Sequence, residues 1–201
     1  MRAKQVSAVV LAAGANRRFA GPHSKLLSEW RGRTLIEHVL ESAANARLAK
    51  LVSEVVVVTP ADAPRLKSLA VAVECRVCHP PADGSLSESL KAALAAIDSR
   101  ADGIVILLGD QPLVTQRVIK ALLDKAGASP RALARVHYAG VADPVSHPAY
   151  VGRDHFRLVH ELEGDEGFRA ATERLGLRWS EVWVEGDNPD VDHTFDLTRL
   201  K

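Results

Sequence analysis

Residues 11–27 read LAAGANRRFAGPHSKLL, and they continue the apolar run VSAVV of residues 6–10 without a break. An apolar strand that gives way to small residues and then to cations decides the fold. Ala12, Ala13 and Gly14 let the backbone approach a ligand closely, and Gly14 has access to positive φ. Successive backbone N–H groups in such a turn form a concave anion site. Arg17, Arg18 and Lys25 stand just beyond it, Arg offering phosphate a bidentate fork and Lys a point charge. No G-K-[ST] follows and no G-x-G-x-x-G is present, so this is neither a Walker loop nor a dinucleotide fingerprint. The same residues could also serve an ordinary strand-to-helix turn with solvated cations.

Outward from this turn, apolar runs alternate with helical patterns, which predicts an α/β protein with a mostly parallel sheet. Strands are expected at Val6–Leu11, at Glu54–Thr59 with its four consecutive valines, around Cys75, at Gly103–Leu108, at Ala132–Tyr138 and at Glu181–Glu185. Helices are expected at Thr34–Ala46, Ala63–Leu69, Ser87–Ile97 and Thr115–Ala126. Beyond Tyr138 the pattern loosens. GVADPVSHPAYVGRD, residues 140–154, reads as a loop or an irregular strand. Two short helices follow near Arg153–Glu161 and Glu166–Leu175, with a last short helix at the terminus. No linker or repeat interrupts the 201 residues, so one domain is expected. Its nucleotide-binding half covers about 1–138 and its substrate-binding portion about 139–201.

Apolar residues make up 47% of the chain and charged residues 25%, the balance of a soluble globular protein. No apolar stretch is long enough to span a bilayer, and the N-terminus does not read as a signal peptide. A net charge of +1 leaves no broad footprint for nucleic acid. These features point to a cytoplasmic protein acting on small molecules. Cys75-Arg-Val-Cys78-His79 matches the C-x-x-C-H haem-attachment pattern, but strand alternation puts the two cysteines on opposite faces. They read better as buried thiols in a reducing compartment.

In an open α/β sheet, ligands bind outside the carboxyl ends of the strands. Gly14 and Asp110 each follow a strand, so parallel strands place both on one rim. Asp110, in LLGDQP (107–112), suits Mg²⁺, which takes carboxylate and phosphate oxygens, and Pro112 stiffens its turn. Asp110 could instead cap the turn before the next helix. Asp190 and Asp192 flank Val191, and extended backbone would aim both carboxylates to one side, where either could complete the cation site. A solvated acidic turn is the competing use. His38, His155 and His160 sit in helical patterns and read as surface or packing residues.

LAAG, RRF and KLL, then DGSLSESL (83–90), LLGDQP, His147-Pro148 and Asp192-x-x-x-Asp196-Leu197 occur in this order along nearly the whole chain. In that order they resemble the MobA-like molybdenum cofactor nucleotidyltransferases. LAAG with GDQP looks most like the cytidylyltransferase subgroup, since guanylyltransferases more often carry LAGG. The resemblance implies a three-layer, Rossmann-like, glycosyltransferase-A-like fold with a twisted, mostly parallel sheet. It implies transfer of CMP from CTP to the phosphate of molybdopterin with Mg²⁺, and a molybdoenzyme as a possible partner. Leu11–Gly14 become the nucleotide turn, Arg18 and Lys25 the triphosphate contacts, and Gly84 and Ser89 the approach to base and ribose. Asp110 and Asp192 become the metal ligands, and His147, Pro148, Gly164 and Asp165 the acceptor side. Three features depart from the family pattern: Ala20 replaces a usual Gly, the stretch from there to Lys25 is slightly long, and the D-T-P-E-D-L ending reads DHTFDL, residues 192–197. The same chemistry with GTP or another phosphorylated acceptor, a non-catalytic carrier of the cofactor, and a nicotinamide-dependent oxidoreductase are the rival readings. The missing dinucleotide fingerprint speaks against the last.

Overall fold

A computed structural model describes residues 4–14, 24–81, 84–139, 147–198 and 200. Among them the run Val6–Leu11 forms β1, Glu54–Val58 forms β4, Arg76–Cys78 forms β5 and Gly103–Leu108 forms β6. Leu133–Tyr138 forms β7, Ala149–Gly152 β8 and Ser180–Val184 β9. These seven strands make one sheet in the order β5-β4-β1-β6-β8-β7-β9, while β2 (Glu29–Trp30) and β3 (Arg33–Thr34) form a separate hairpin. β1 pairs in parallel with both β4 and β6, and β7 with β9; only β8 runs antiparallel to its neighbours β6 and β7.

Among the described residues five α-helices pack on the sheet: α1 (Leu35–Leu48), α2 (Pro64–Ala72), α3 (Leu86–Ala96), α4 (Gln116–Ala126) and α5 (Phe168–Arg174). Strand alternation divides the core into two layers. Ala8, Val10, Val55, Val57, Val105 and Leu107 pack under α1, α2 and α4. Val9, Val56, Val58, Ile104 and Ile106 face α3, α5 and the 3-10 segment Arg153–Glu161. The four valines of β4 are thus divided between two apolar layers, which is why that run shows no polar face. Helix starts follow the local chemistry. At the start of α1 the Thr34 N–H and hydroxyl donate to the Glu37 carboxylate, and Thr115 accepts from the Val118 N–H at the start of α4.

Two expectations need correction. Residues 140–146 lie outside the described residues, but the end of that supposedly irregular segment is a regular, fully buried strand, β8. Tyr150 packs into one core layer and Val151 into the other, so the stretch has no polar alternation to announce it. Gly103 is what admits the Tyr150 ring, since a Cβ there would collide with it. The helix expected at Arg153–Glu161 has those bounds but winds as 3-10, consistent with the low α propensity of its His, Phe and Val residues. Cys75 joins the layer under α1 and α2 whereas Cys78 packs against the opposite one, and burial pushes both thiols up to about 11.

Candidate active site

β1 and β6 lie side by side with Leu11 opposite Leu108, so the chain leaves both strands at the same rim. The Gly109 N–H donates to the Leu11 carbonyl at 2.9 Å. A Cβ on Gly109 would sit 3.1 Å from that oxygen, so glycine lets the Asp110 turn pass close over the end of β1. Gly14 stays out of the left-handed region. Gly84 at this rim is left-handed, at φ +58, and its Cβ position lies 3.5 Å from the Ala13 carbonyl.

Lys25 begins a short 3-10 turn, Lys25–Leu27, that Leu26 anchors in the core. Its Nζ lies 2.7 Å from Asp110 Oδ2 and 3.0 Å from Asp192 Oδ1. One ammonium therefore bridges residues from the start, middle and end of the chain. Burial works against the charge on Lys25, but the two carboxylates outweigh it and raise its pKa. Asp110 does not cap α4, since Thr115 performs that role. Arg17 and Arg18 lie outside the described residues.

The C-terminal segment is fixed by a polar network that spacing alone did not disclose. Gln111, 2% exposed, donates to Asp190 Oδ1 at 2.9 Å. Asn188, 1% exposed, donates to Gln111 Oε1 and to the Tyr138 hydroxyl, and accepts from the Leu113 N–H. The Val191 N–H donates to the Asp110 carbonyl, and the Val191 side chain is buried against Leu35 and Leu200. Buried amides with satisfied partners specify a single arrangement of the loops they join. Asp196, the surviving last carboxylate of the DHTFDL ending, accepts from the Asp192 and His193 N–H groups and so shapes the turn that presents Asp192. The sequence signals were the amides in GDQP and in Gly186-Asp-Asn-Pro-Asp190, but only tertiary pairing shows what they do.

Burial and the nearby charge of Asp110 push the Asp190 carboxyl up to about 6. A carboxyl raised in the folded state binds its proton more tightly there than in the unfolded chain. Its unfavourable contribution therefore grows as pH rises from about 4 to about 6 and persists above. In EDTA, Asp190→Asn is expected to stabilise the protein by about 1–2 kcal/mol at pH 7.5, allowing for water that still reaches the carboxyl. The gain should vanish at pH 4. Urea midpoints at the two pH values check this, and equal effects at both would contradict it.

The remaining expected site residues divide. The His147-Pro148 bond is cis, and His147 lies close enough to Asp110 to feel its charge. Desolvation pushes His147 down to about 4, so the ring is neutral near pH 7. The Gly164 carbonyl accepts from the Ser87 N–H, which ties the Gly164-Asp165 turn to the start of α3. Asp165 is exposed there and Ser89 is buried on α3. Beside the rim, on the α3 and α5 side of the sheet, lies a cavity of about 270 Å³. Leu11, Ile106, Arg135 and Ala149 form its floor, with Leu86, Leu90, Phe168 and Trp179 around it.

The lysine and two carboxylates that converge on the rim of this mostly parallel sheet sit in a nucleotidyltransferase, the class that the family match gives. The chain belongs to the MobA-like NTP transferase domain family, whose description matches residues 8–179. It is 29% identical over 171 residues to a probable molybdenum cofactor guanylyltransferase of Methanosarcina acetivorans, covering 82% of this chain and 72% of that protein. It is 34% identical over 182 residues to the 2-C-methyl-D-erythritol 4-phosphate cytidylyltransferase of Thermobifida fusca, covering 88% and 67%. The chain spans only 35% of a bifunctional GlmU protein that it also matches. Rv0371c of Mycobacterium tuberculosis superposes with a TM-score of 0.80 at 30% identity over 99% of this chain and 97% of that one. A second structure of Rv0371c is a complex with manganese, with a TM-score of 0.77 and 28% identity over 98% and 97%.

Proposed function

We propose that this nucleotidyltransferase moves CMP from CTP to the phosphate of a molybdopterin-type acceptor, releasing pyrophosphate, with Mg²⁺ bound by Asp110 and Asp192. The observation that carries this reading is the convergence of those two carboxylates on Lys25. The donor set fits the ion: hard carboxylate oxygens, with Asp190 behind them, exceed in charge what one ammonium neutralises. Mg²⁺ typically takes one or two carboxylates and completes its shell with substrate phosphates and water. Once bound, such an ion supplies charge stabilisation for the α-phosphate and the departing oxygens.

An acceptor phosphate is already an oxyanion, so no general base is needed to activate it. In-line attack on the α-phosphorus leaves the protein mainly the tasks of positioning and charge compensation. The turn Leu11–Gly14, with Gly84 against it, cradles the nucleotide. Lys25, together with Arg18, takes the developing charge of pyrophosphate. His147, neutral near pH 7, orients the acceptor through hydrogen bonding instead of adding a second cation. The region about 1–138 holds the nucleotide and about 139–201 the acceptor side, and the reaction is placed in the cytoplasm. No described helix is long and apolar enough to cross a membrane.

LAAG at residues 11–14 and the resemblance to a cytidylyltransferase favour CTP, whereas the guanylyltransferase relative favours GTP. Melting temperature with each of the four nucleoside triphosphates and Mg²⁺ tests the choice. A nucleotide at a hundred times its Kd adds about 2.7 kcal/mol, which is roughly 5–10 °C for a chain of this size. CTP should give the largest shift. A larger shift with GTP would replace CTP in this reading, and no shift with any nucleotide would remove it.

A further inference from the structure

One ammonium cannot bridge two carboxylates and hold a pyrophosphate group at the same time. Lys25 Nζ lies 2.7 Å from Asp110 Oδ2 and 3.0 Å from Asp192 Oδ1, on the carboxylates proposed to hold the metal ion. Mg²⁺ takes carboxylate oxygens at about 2.0–2.1 Å, closer than the ammonium stands. Two cations crowded onto one pair of oxygens repel each other strongly. The ion and Lys25 therefore compete for the same oxygens.

The surroundings let the side chain move while its partners stay. The backbone at Lys25 is fixed: Leu26 is buried in the core, the Leu27 N–H donates to the Ser24 carbonyl, and the Ser28 N–H donates to the Lys25 carbonyl. The side chain is a flexible four-carbon stem with a compact charge, so it can re-aim without the backbone. The carboxylates have supports of their own. The Val191 N–H donates to the Asp110 carbonyl, and the Asp192 N–H donates to Asp196. Neither bond needs Lys25. Charge favours the exchange as well, since one ammonium offsets only half of what Asp110 and Asp192 carry and a divalent ion offsets all of it. The displaced ammonium, on a side chain only 15% exposed, then needs another anion, and phosphate oxygens supply one.

We infer that Lys25 is an exchangeable counter-ion, which joins Asp110 to Asp192 until a divalent ion takes those oxygens and then turns to the nucleotide phosphates. This inference rests on the metal-assisted transfer proposed above and adds an order of events to it. Two measurements on the full chain without nucleotide test it: Mn²⁺ binding by electron paramagnetic resonance, and acetylation of Lys25 read by mass spectrometry. Lys25→Met should bind Mn²⁺ at least about tenfold more tightly than the natural chain, because the competing cation is gone. In the natural chain, Mn²⁺ that fills the site should make Lys25 acetylate several-fold faster relative to Lys67, an exposed lysine on α2. Adding CTP should then slow the reaction again. Equal or weaker Mn²⁺ binding in Lys25→Met, binding in neither protein, or a filled site with unchanged acetylation of Lys25 would overturn the exchange. The acetylation arm uses the natural chain, so it does not depend on the folding of a variant. The nucleotide-induced melting shift, measured on the same samples, separates the two levels. If that shift is present and Lys25 acetylates at one rate throughout, the exchange falls and nucleotidyl transfer stands. If no nucleotide shifts the melting temperature, the transfer reading falls and takes the handover to phosphate with it.

Discussion

Asp110→Ala is expected to lower Mg²⁺-dependent nucleotidyl transfer by about 10³-fold or more while the protein remains folded. Asp110 follows β6 on a turn whose path is fixed by backbone bonds from Gly109 to Leu11 and from Val191 to the Asp110 carbonyl. Neither bond uses the Asp110 side chain, so truncation leaves the rim in place. Lys25 loses the 2.7 Å contact but keeps Asp192 at 3.0 Å, which limits the cost to stability. In the proposed transfer, what disappears is the carboxylate that would hold the metal ion beside the α-phosphate. Nucleotide binding should weaken less than turnover, because interactions realised only in the transition state are lost from kcat. Single-turnover rates alongside far-UV and near-UV circular dichroism check this. Near-normal turnover in a folded variant would remove Asp110 from the mechanism.

Lys25→Met should have the second-largest effect, a fall in kcat of about 10²–10³-fold, comparable to the loss of one preorganised charge-stabilising group. Methionine keeps the length and apolar character of the stem but not the ammonium. Asp110 and Asp192 then face each other without a mediating charge. Asp192 is 42% exposed, so water screens part of this repulsion, and the variant should lose only about 1–2 kcal/mol of stability. Lys25→Arg restores charge but replaces a compact ammonium with a planar fork, and should recover only part of the activity. Steady-state kinetics with thermal denaturation distinguish these outcomes. Full activity in Lys25→Met would show that neither the carboxylate bridge nor charge on pyrophosphate matters to the rate.

Much of this arrangement could be read directly from residues. The apolar runs at Val6–Leu11 and Gly103–Leu108 are the strands β1 and β6, because both are buried on two faces and end where small or turn-forming residues begin. The placement of Gly14 and Asp110 on one rim followed from parallel pairing alone. β8 was obscure because four apolar residues carry no period and its place depends on antiparallel pairing with β6 and β7. The β2–β3 hairpin escaped notice because its turn, Arg31-Gly32, puts an arginine at φ +50 where Asn or Asp is the usual signal. The amide network failed for a different reason. Gln111 and Asn188 are 77 residues apart, and nothing local to either says that they meet. The pairing of Asp192 with Lys25 is equally non-local: the family resemblance set Asp192 beside Asp110 as a metal ligand and Lys25 on the triphosphate, and nothing in it implied an ion pair between the two.

Double labelling of the nucleotide tests the central claim most directly. With CTP labelled at the α-phosphorus in one sample and at the γ-phosphorus in another, the enzyme is incubated with molybdopterin and Mg²⁺. The α label should appear on the acceptor in a new phosphoanhydride, and the γ label should leave as pyrophosphate in equal amount. Acceptor bound without label, or γ label released as inorganic phosphate, would contradict a nucleotidyl transfer at the Lys25–Asp110–Asp192 site.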